Sequence, residues 1–500
     1  MWSYVPRIVD GELGTALATA GAVVIKGARA TGKTETARRK AASELRLDLS
    51  APRAALAREA PASALPGAAP RLLDEWQLVP SLWNEVRRSV DDRRRPGQFI
   101  LTGSAAPDED PLRHSGAGRF QSVMMRTMTL AETGQSSGEV SLRALLTGGF
   151  DDIVESGSSF GDVVERIVTG GWPGWHDQPV PACEARARAY IEQIAERDFP
   201  TLTGPRRDPR RFLAYLRAVA ALESQPASFS ALTRRMQEEF TAAVGAAAVP
   251  ALHDLAERMF LVEDQPAWSP RLRSKQAAAK APTRHLADPS LAAGLLGAGV
   301  DRLLADPETL GFLFEGQVVH DVRVYAQAAE ARGVFHYRDS KGRDEIDIVV
   351  EGHDGAWLGV EVRLGGGQVS AAAENLRRVA AKIECTPVGL VVVTPSGIAH
   401  RRRRRRRALE HARAVGAAPA GPVRLPGHGR RVVGPRPVRV GVDERRPGAA
   451  SGDGDDAGTG CDKSGGMEVY KKLPLLCGRI GPGREIHFAH GESRSRPAAE

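Results

Sequence analysis

The stretch Gly27-Ala28-Arg29-Ala30-Thr31-Gly32-Lys33-Thr34 follows the apolar run at 22–25 and precedes the helix-forming residues 35–40. Its G-x-x-x-x-G-K-[ST] spacing constrains the fold more tightly than any other feature of the chain, because it demands strand, tight loop and helix in that order. Gly27 and Gly32 let the backbone turn sharply, so that several N–H groups and a helix N-terminus converge on an anion. Lys33 is then placed to neutralise β- and γ-phosphate oxygens, and Thr34 to ligate Mg²⁺. Strand runs alternate with helical stretches on either side, which predicts a parallel α/β sheet over residues 1–135.

A phosphate loop does not by itself distinguish a kinase from a GTPase or an ATPase, so the next carboxylates matter. Leu72-Leu73 reads as a short buried strand ending in Asp74, suited to the Mg²⁺ shell, and Glu75 follows at the position needed to deprotonate an attacking water. An Asp-Glu helix cap is the alternative. A third strand, Phe99-Ile100-Leu101, runs into Thr102-Gly103-Ser104. If it lies between the other two, the Thr102 or Ser104 hydroxyl can reach a γ-phosphate, although Thr-Gly-Ser is also ordinary turn chemistry.

Together GARATGKT, LLDEWQ and FILTGSA resemble the prokaryotic AAA-type ATPases that carry a winged-helix and a PD-(D/E)XK nuclease-like C-terminal region of unknown function. PRIVD, HSGAGRF, MRTMTLAE, GGWPGW, ERDFP and RHLADPSLAAGLLG extend the resemblance over about residues 4–394. It implies ATP and Mg²⁺ as cofactors and a P-loop sheet with a helical lid at 136–204. In the lid, Tyr190, Ile191 and Ile194 share a helix face. Arg119 and Arg197 lie in the family-like motifs and are candidates for touching a γ-phosphate, from within the chain or from a neighbouring subunit.

Residues 205–304 pattern as three helices with a β-wing. Phe212, Leu213, Leu216, Val219 and Ala220 follow the helical period, and 259–262 read as strand-like. A winged helix can enter a DNA major groove or dock a protein, and few bases lie on the candidate recognition helix here. Residues 305–395 carry a second candidate chemistry. If His353-Asp354-Gly355 closes a hairpin with Gly355 left-handed, Asp347 falls opposite Glu361 and Glu345 opposite Arg363, leaving Asp347 and Glu361 as candidate divalent-metal ligands. This resembles the D…E-x-K core of restriction-type nucleases, with Glu315 on the preceding helix as the further acid. Arg363 stands where the family typically has lysine, and an arginine is a poor general base. A cross-strand ion pair with no catalysis is the plainer reading.

The net charge of +8 belongs to the tail: residues 401–500 carry a surplus of +11, and the first 400 stand at −3. Basicity is therefore no argument that the folded body binds nucleic acid. After residue 395 the composition turns to Arg, Gly, Pro and Ala without periodicity, including seven consecutive arginines at 401–407. Residues 396–500 read as a disordered tail, able to bind phosphate backbones nonspecifically or else the product of an alternative reading frame. Four scattered cysteines with no C-x-x-C spacing, no long apolar run and no leader pattern point to a cytoplasmic protein without a membrane partner. The expectation is an ATPase acting on a DNA or protein partner. The alternatives are a DNA-binding or DNA-cleaving effector switched by ATP, and a protein-interaction scaffold with a relic loop.

Overall fold

The computed structural model describes residues 4–103, 115–402 and 469–473, with interruptions at 137, 150–152, 156, 204–207, 240–244, 246, 272–279 and 340. Five parallel strands, β1 (Ala22–Lys26), β2 (Ser43–Arg46), β3 (Arg71–Asp74), β4 (Phe99–Thr102) and β5 (Phe120–Met124), form a sheet in the order β2-β3-β4-β1-β5. Val23, Val24, Leu72, Leu73, Ile100 and Leu101 are buried, as expected where both faces of a parallel sheet are covered. The register sets Asp74 beside Thr102 and Thr102 beside Ile25, so the ends of three strands meet in one crevice. Here β4 does lie between the strands that end in the phosphate-type loop and in Asp74.

Beyond the sheet, helices Phe160–Thr169 and Val180–Gln193 and a single π-turn at Ile194–Asp198 cover one side of the loop. Trp172, Trp175 and Tyr190 stack among themselves there, with ring centroids 4.7–6.3 Å apart. Helices Pro209–Ala221, Phe229–Glu239 and Ala248–Arg258 follow, with the antiparallel pair β7 (Val262–Gln265) and β8 (Thr283–Leu286); the short β6 is Val154–Glu155. Residues 259–261 are not strand, contrary to the expected pattern. The Leu261 N–H bonds Ala256 O and the Phe260 N–H bonds Glu257 O, with Phe260 at φ +57°, so a Schellman-type cap ends the helix before β7 begins.

The C-terminal half packs helix Pro307–Ala328 and helix Val369–Ala380 on a mixed sheet. Its strands are β9 (Gly333–Arg338), β10 (Glu345–Glu351), β11 (Trp357–Val362) and β12 (Gly389–Val393). The β10–β11 turn closes as expected: Gly352 N–H bonds Ala356 O at 2.8 Å, and Gly355 has φ +82°. Strict alternation along β10 fails, however. The register shifts between Ile346 and Val349, so Ile346 and Val349 share one core while Ile348 and Val350 enter the other. The expected order-to-tail boundary at 396 also needs correcting. Strand β13 (Ile398–Arg402) pairs with β6, and β14 (Val469–Leu473) pairs with β12 and β13, because the edge of β12 offers unpaired backbone groups. The remainder of the expected tail lies outside the described residues.

One buried carboxylate joins these parts. Asp288, 1% exposed, caps helix Pro289–Leu296 by accepting the N–H and hydroxyl of Ser290 (3.0 and 2.6 Å). Its second oxygen accepts the Thr127 hydroxyl (2.6 Å) and the Gly171 N–H (2.9 Å). Thr127 in turn meets His320 Nε2 at 2.9 Å, on the long helix of the C-terminal half. At Gly171 an added Cβ would lie 2.1 Å from Met128 O, so only glycine permits this approach. We expect Asp288→Ala to cost about 3 kcal/mol or more, since it removes a cap and strands two buried donors. A calorimetric melt reads this as a lower thermal midpoint, and an unchanged midpoint would show that the junction holds without the carboxylate.

Candidate functional site

The crevice at the strand ends opens into a cleft of about 860 Å³. Lining it are Gly32, Lys33 and Thr34 of the loop and helix start, Glu75 and Gln77 after β3, and Tyr190, Arg197 and Asp198 of helix Val180–Gln193 and its π-turn. The loop can take its shape only with glycine at its start: at Gly27 (φ +152°) a Cβ would sit 2.1 Å from Met125 O. Ala30 and Gly32 also have positive φ, of 62° and 98°, which curls the backbone ahead of the helix into an anion-sized nest.

Three predicted residues converge on one atom. Asp74 Oδ1 accepts the Thr34 hydroxyl at 2.9 Å and the Thr102 hydroxyl at 2.5 Å, while Arg46 Nε lies 3.5 Å from Oδ2. This donor set consists of hard oxygens, the chemistry Mg²⁺ prefers, and together with the nest it fits a nucleotide and its cation. Glu75 is held left-handed (φ +55°), and its carboxylate accepts a hydrogen bond from the Gln77 amide. Lys33 is buried and donates to Ala28 O at 2.6 Å. Burial pushes its pKa down to about 8 against the raising pull of Glu75 and Asp74.

The two candidate arginines separate. Arg197 lines the cleft, whereas Arg119 is not among the lining residues and pairs with Asp91 at 2.8 Å. Asp91 lies on helix Leu82–Arg93, so Arg119 serves the sheet's flank within this chain. Ser104 lies outside the described residues. Sequence reading missed Arg46, Gln77 and Arg29, which meets Asp198 of the π-turn at 2.9 Å. It also missed Arg7, which bonds Thr31 O and pairs with Glu132, so that it props the loop from behind. Arg29, Gln77 and Arg7 lie within the stretches GARATGKT, LLDEWQ and PRIVD, but their spacing named no role for them, and Arg46 lies in none of the quoted stretches.

In the C-terminal half, the β10–β11 register carried one residue beyond Ile348–Val360 sets Asp347 opposite Glu361. Arg363 bridges them: Nη1 lies 3.2 Å from Asp347 Oδ2, and Nη2 donates to Glu361. Asp347 also accepts the Val362 N–H at 2.8 Å, and Glu361 Oε2 is buried without a hydrogen-bond partner. Burial and mutual repulsion raise all three acids nearby: Glu315 well above the usual carboxylate range, Asp347 upward, and Glu361 to about 8. Glu315 and Arg363 border a cleft of about 790 Å³.

The titration of Lys33 makes a measurable prediction. Nucleotide phosphates favour the charged ammonium, so ATP binding should be tightest below about pH 8 and weaken by up to about tenfold per pH unit above it. Calorimetry at pH 9 in buffers of different ionisation enthalpy should register proton uptake, and Lys33→Ala should bind weakly with none. Affinity that is flat from pH 7 to 9.5 would show that Lys33 is charged throughout.

Residues 19–134 match a family model described as an AAA domain. Residues 161–302 and 310–411 match two further models, each described as a domain of unknown function (DUF8612 and DUF4143). Uncharacterized proteins of Mycobacterium bovis and Mycobacterium tuberculosis are each 34% identical over 147 residues, which is 29% of this chain. The match spans about a third of the length of those curated relatives, 33% of each. No helix among the described residues is long and apolar enough to cross a membrane. Residues 19–134 are thus similar to an AAA domain, and the parallel sheet with its phosphate-type loop fits the P-loop fold which that match suggests.

Proposed function

We propose that the protein hydrolyses ATP with Mg²⁺ and passes its nucleotide state to a DNA or protein partner through its C-terminal two-thirds. The observation that carries this reading is the convergence of Thr34, Asp74 and Thr102 on one carboxylate oxygen beside Glu75. Bound Mg²⁺ would supply charge neutralisation at the β- and γ-oxygens, and Thr34 and Asp74 would hold it. Lys33 faces the same oxygens and shields the growing negative charge. Glu75, steadied by Gln77, takes the proton of the water that attacks the γ-phosphorus as the bond to the ADP oxygen breaks. Coupling to the rest of the chain is supported by Arg126, just past β5, which grips Glu263 of β7 with two nitrogens (2.9 and 2.6 Å) and Gln327 at 2.9 Å.

Three helices followed by an antiparallel pair support a winged-helix reading of residues 205–304. The Glu315, Asp347 and Glu361 cluster supports a restriction-nuclease-like reading of 305–395, and so favours a second function, a DNA-cleaving effector switched by ATP. Against cleavage stands Arg363, which pairs with both carboxylates and keeps its own proton. The scaffold reading leaves the buried Lys33 and the shared Asp74 oxygen without a purpose.

Three experiments test these readings. Glu75→Gln should retain ATP binding and lose hydrolysis by about a hundredfold or more. Wild-type turnover in that variant would remove Glu75 from the mechanism. Phosphate release with and without DNA separates a DNA-stimulated ATPase from one serving a protein, and tight binding without turnover marks a switch. The unaltered protein should not nick DNA in Mg²⁺ or Mn²⁺, whereas Arg363→Lys should gain metal-dependent nicking that Asp347→Ala abolishes. Robust nicking by the wild type that disappears in Asp347→Ala or Glu361→Ala would establish the effector instead.

A further inference from the structure

We propose that His253, Glu257 and Asp264 form a divalent transition-metal site, separate from both acidic clusters described above. Helix Ala248–Arg258 places His253 and Glu257 four residues apart on one face. The cap at Phe260 then reverses the chain, and β7 returns Asp264 to the same point. His253 Nε2 lies 3.4 Å from Asp264 Oδ2 and 3.6 Å from Glu257 Oε2. These separations exceed a hydrogen bond but equal the edge of a tetrahedron of N and O ligands about 2.0–2.2 Å from a metal, roughly 3.4 Å. Among the described residues no other three His, Cys, Asp or Glu bring their ligand atoms this close.

The surroundings are those of a built ligand set. His253 is only 6% exposed, and its other nitrogen, Nδ1, lies 2.7 Å from the hydroxyl of buried Tyr215, which fixes the ring with Nε2 aimed at the carboxylates. The outer oxygen of Asp264, Oδ1, is occluded and makes no hydrogen bond; Arg284 Nε stands 3.3 Å from it. The guanidinium therefore braces the outer oxygen and leaves Oδ2 to the cluster. The side chains of Glu257 and Asp264 are 45% and 24% exposed, which gives an ion a path in and leaves a coordination position to solvent. One imidazole with two carboxylates suits Zn²⁺ or a neighbouring first-row ion, whereas Mg²⁺ and Ca²⁺ favour all-oxygen shells. An ion here would clip the helix to β7 one residue from Glu263, the partner of Arg126 and Arg323.

The test uses the full-length protein, freed of metal by chelation and titrated with Zn²⁺ against a chromophoric competitor without nucleotide. Wild type should hold one Zn²⁺ that Glu257→Gln and Asp264→Asn lose or bind at least about tenfold more weakly. Its Co²⁺ form should show visible absorption that both variants lack. Equal Zn²⁺ stoichiometry and affinity in all three proteins would overturn the site. Melting curves in chelator control for folding, and if Asp264→Asn melts early, Glu257→Gln on its half-exposed side chain decides the matter alone.

Discussion

The buried carboxylate of Asp288 is the interaction on which the rest of the structure depends. A carboxyl group so enclosed is costly unless its lone pairs are filled, and four donors from three chain segments fill them. That requirement fixes the segment after β5, the Gly170-Gly171 turn and the start of helix Pro289–Leu296 at one point. A second buried acid, Asp321, repeats the device on helix Pro307–Ala328 beside His320, accepting the Leu130 N–H at 3.1 Å and Gln317 at 2.9 Å. The short stretch after the N-terminal sheet is thereby tied to the Gly170-Gly171 turn, to the start of helix Pro289–Leu296 and to helix Pro307–Ala328.

This arrangement gives the cleft two kinds of wall. The sheet supplies Lys33, Thr34 and Glu75 on a rigid backbone whose strands are paired on both sides. The helix Val180–Gln193 and the π-turn that follows it supply Tyr190, Arg197 and Asp198, a geometry common where a helix bends to serve a site. The Arg29–Asp198 pair joins the two walls across the mouth, where a partly exposed ion pair is weak enough to exchange for a phosphate.

The Glu315, Asp347, Glu361 and Arg363 cluster obeys a different balance. Three acids buried together lose solvation and repel one another, and one arginine cannot offset this for all of them, so Glu315 is pushed well above the usual carboxylate range and Glu361 up to about 8. The bulge in β10 turns Ile346 away from Ile348 and lets the strand carry a carboxylate beside two apolar cores. From the residue string alone, uninterrupted alternation was the natural expectation, because an inserted residue leaves no mark in composition.

What the sequence by itself determined is local. Gly27, Gly32, Lys33 and Thr34 are spaced by the geometry of one turn, and Asp74 and Thr102 sit at the ends of apolar runs whose burial their composition dictates. The hairpin at 353–355 and its opposed acids follow from a period of two and a single left-handed glycine. Only the tertiary structure decided that Thr34, Thr102 and Asp74 share one oxygen, that Arg46 stands beside it, and that Arg119 turns aside to Asp91. It alone decided that β13 and β14 extend the C-terminal sheet beyond residue 395. Those outcomes depend on which strand lies beside which and on which buried charge finds a partner, and such pairings join residues 28 or more positions apart, beyond the reach of any local pattern.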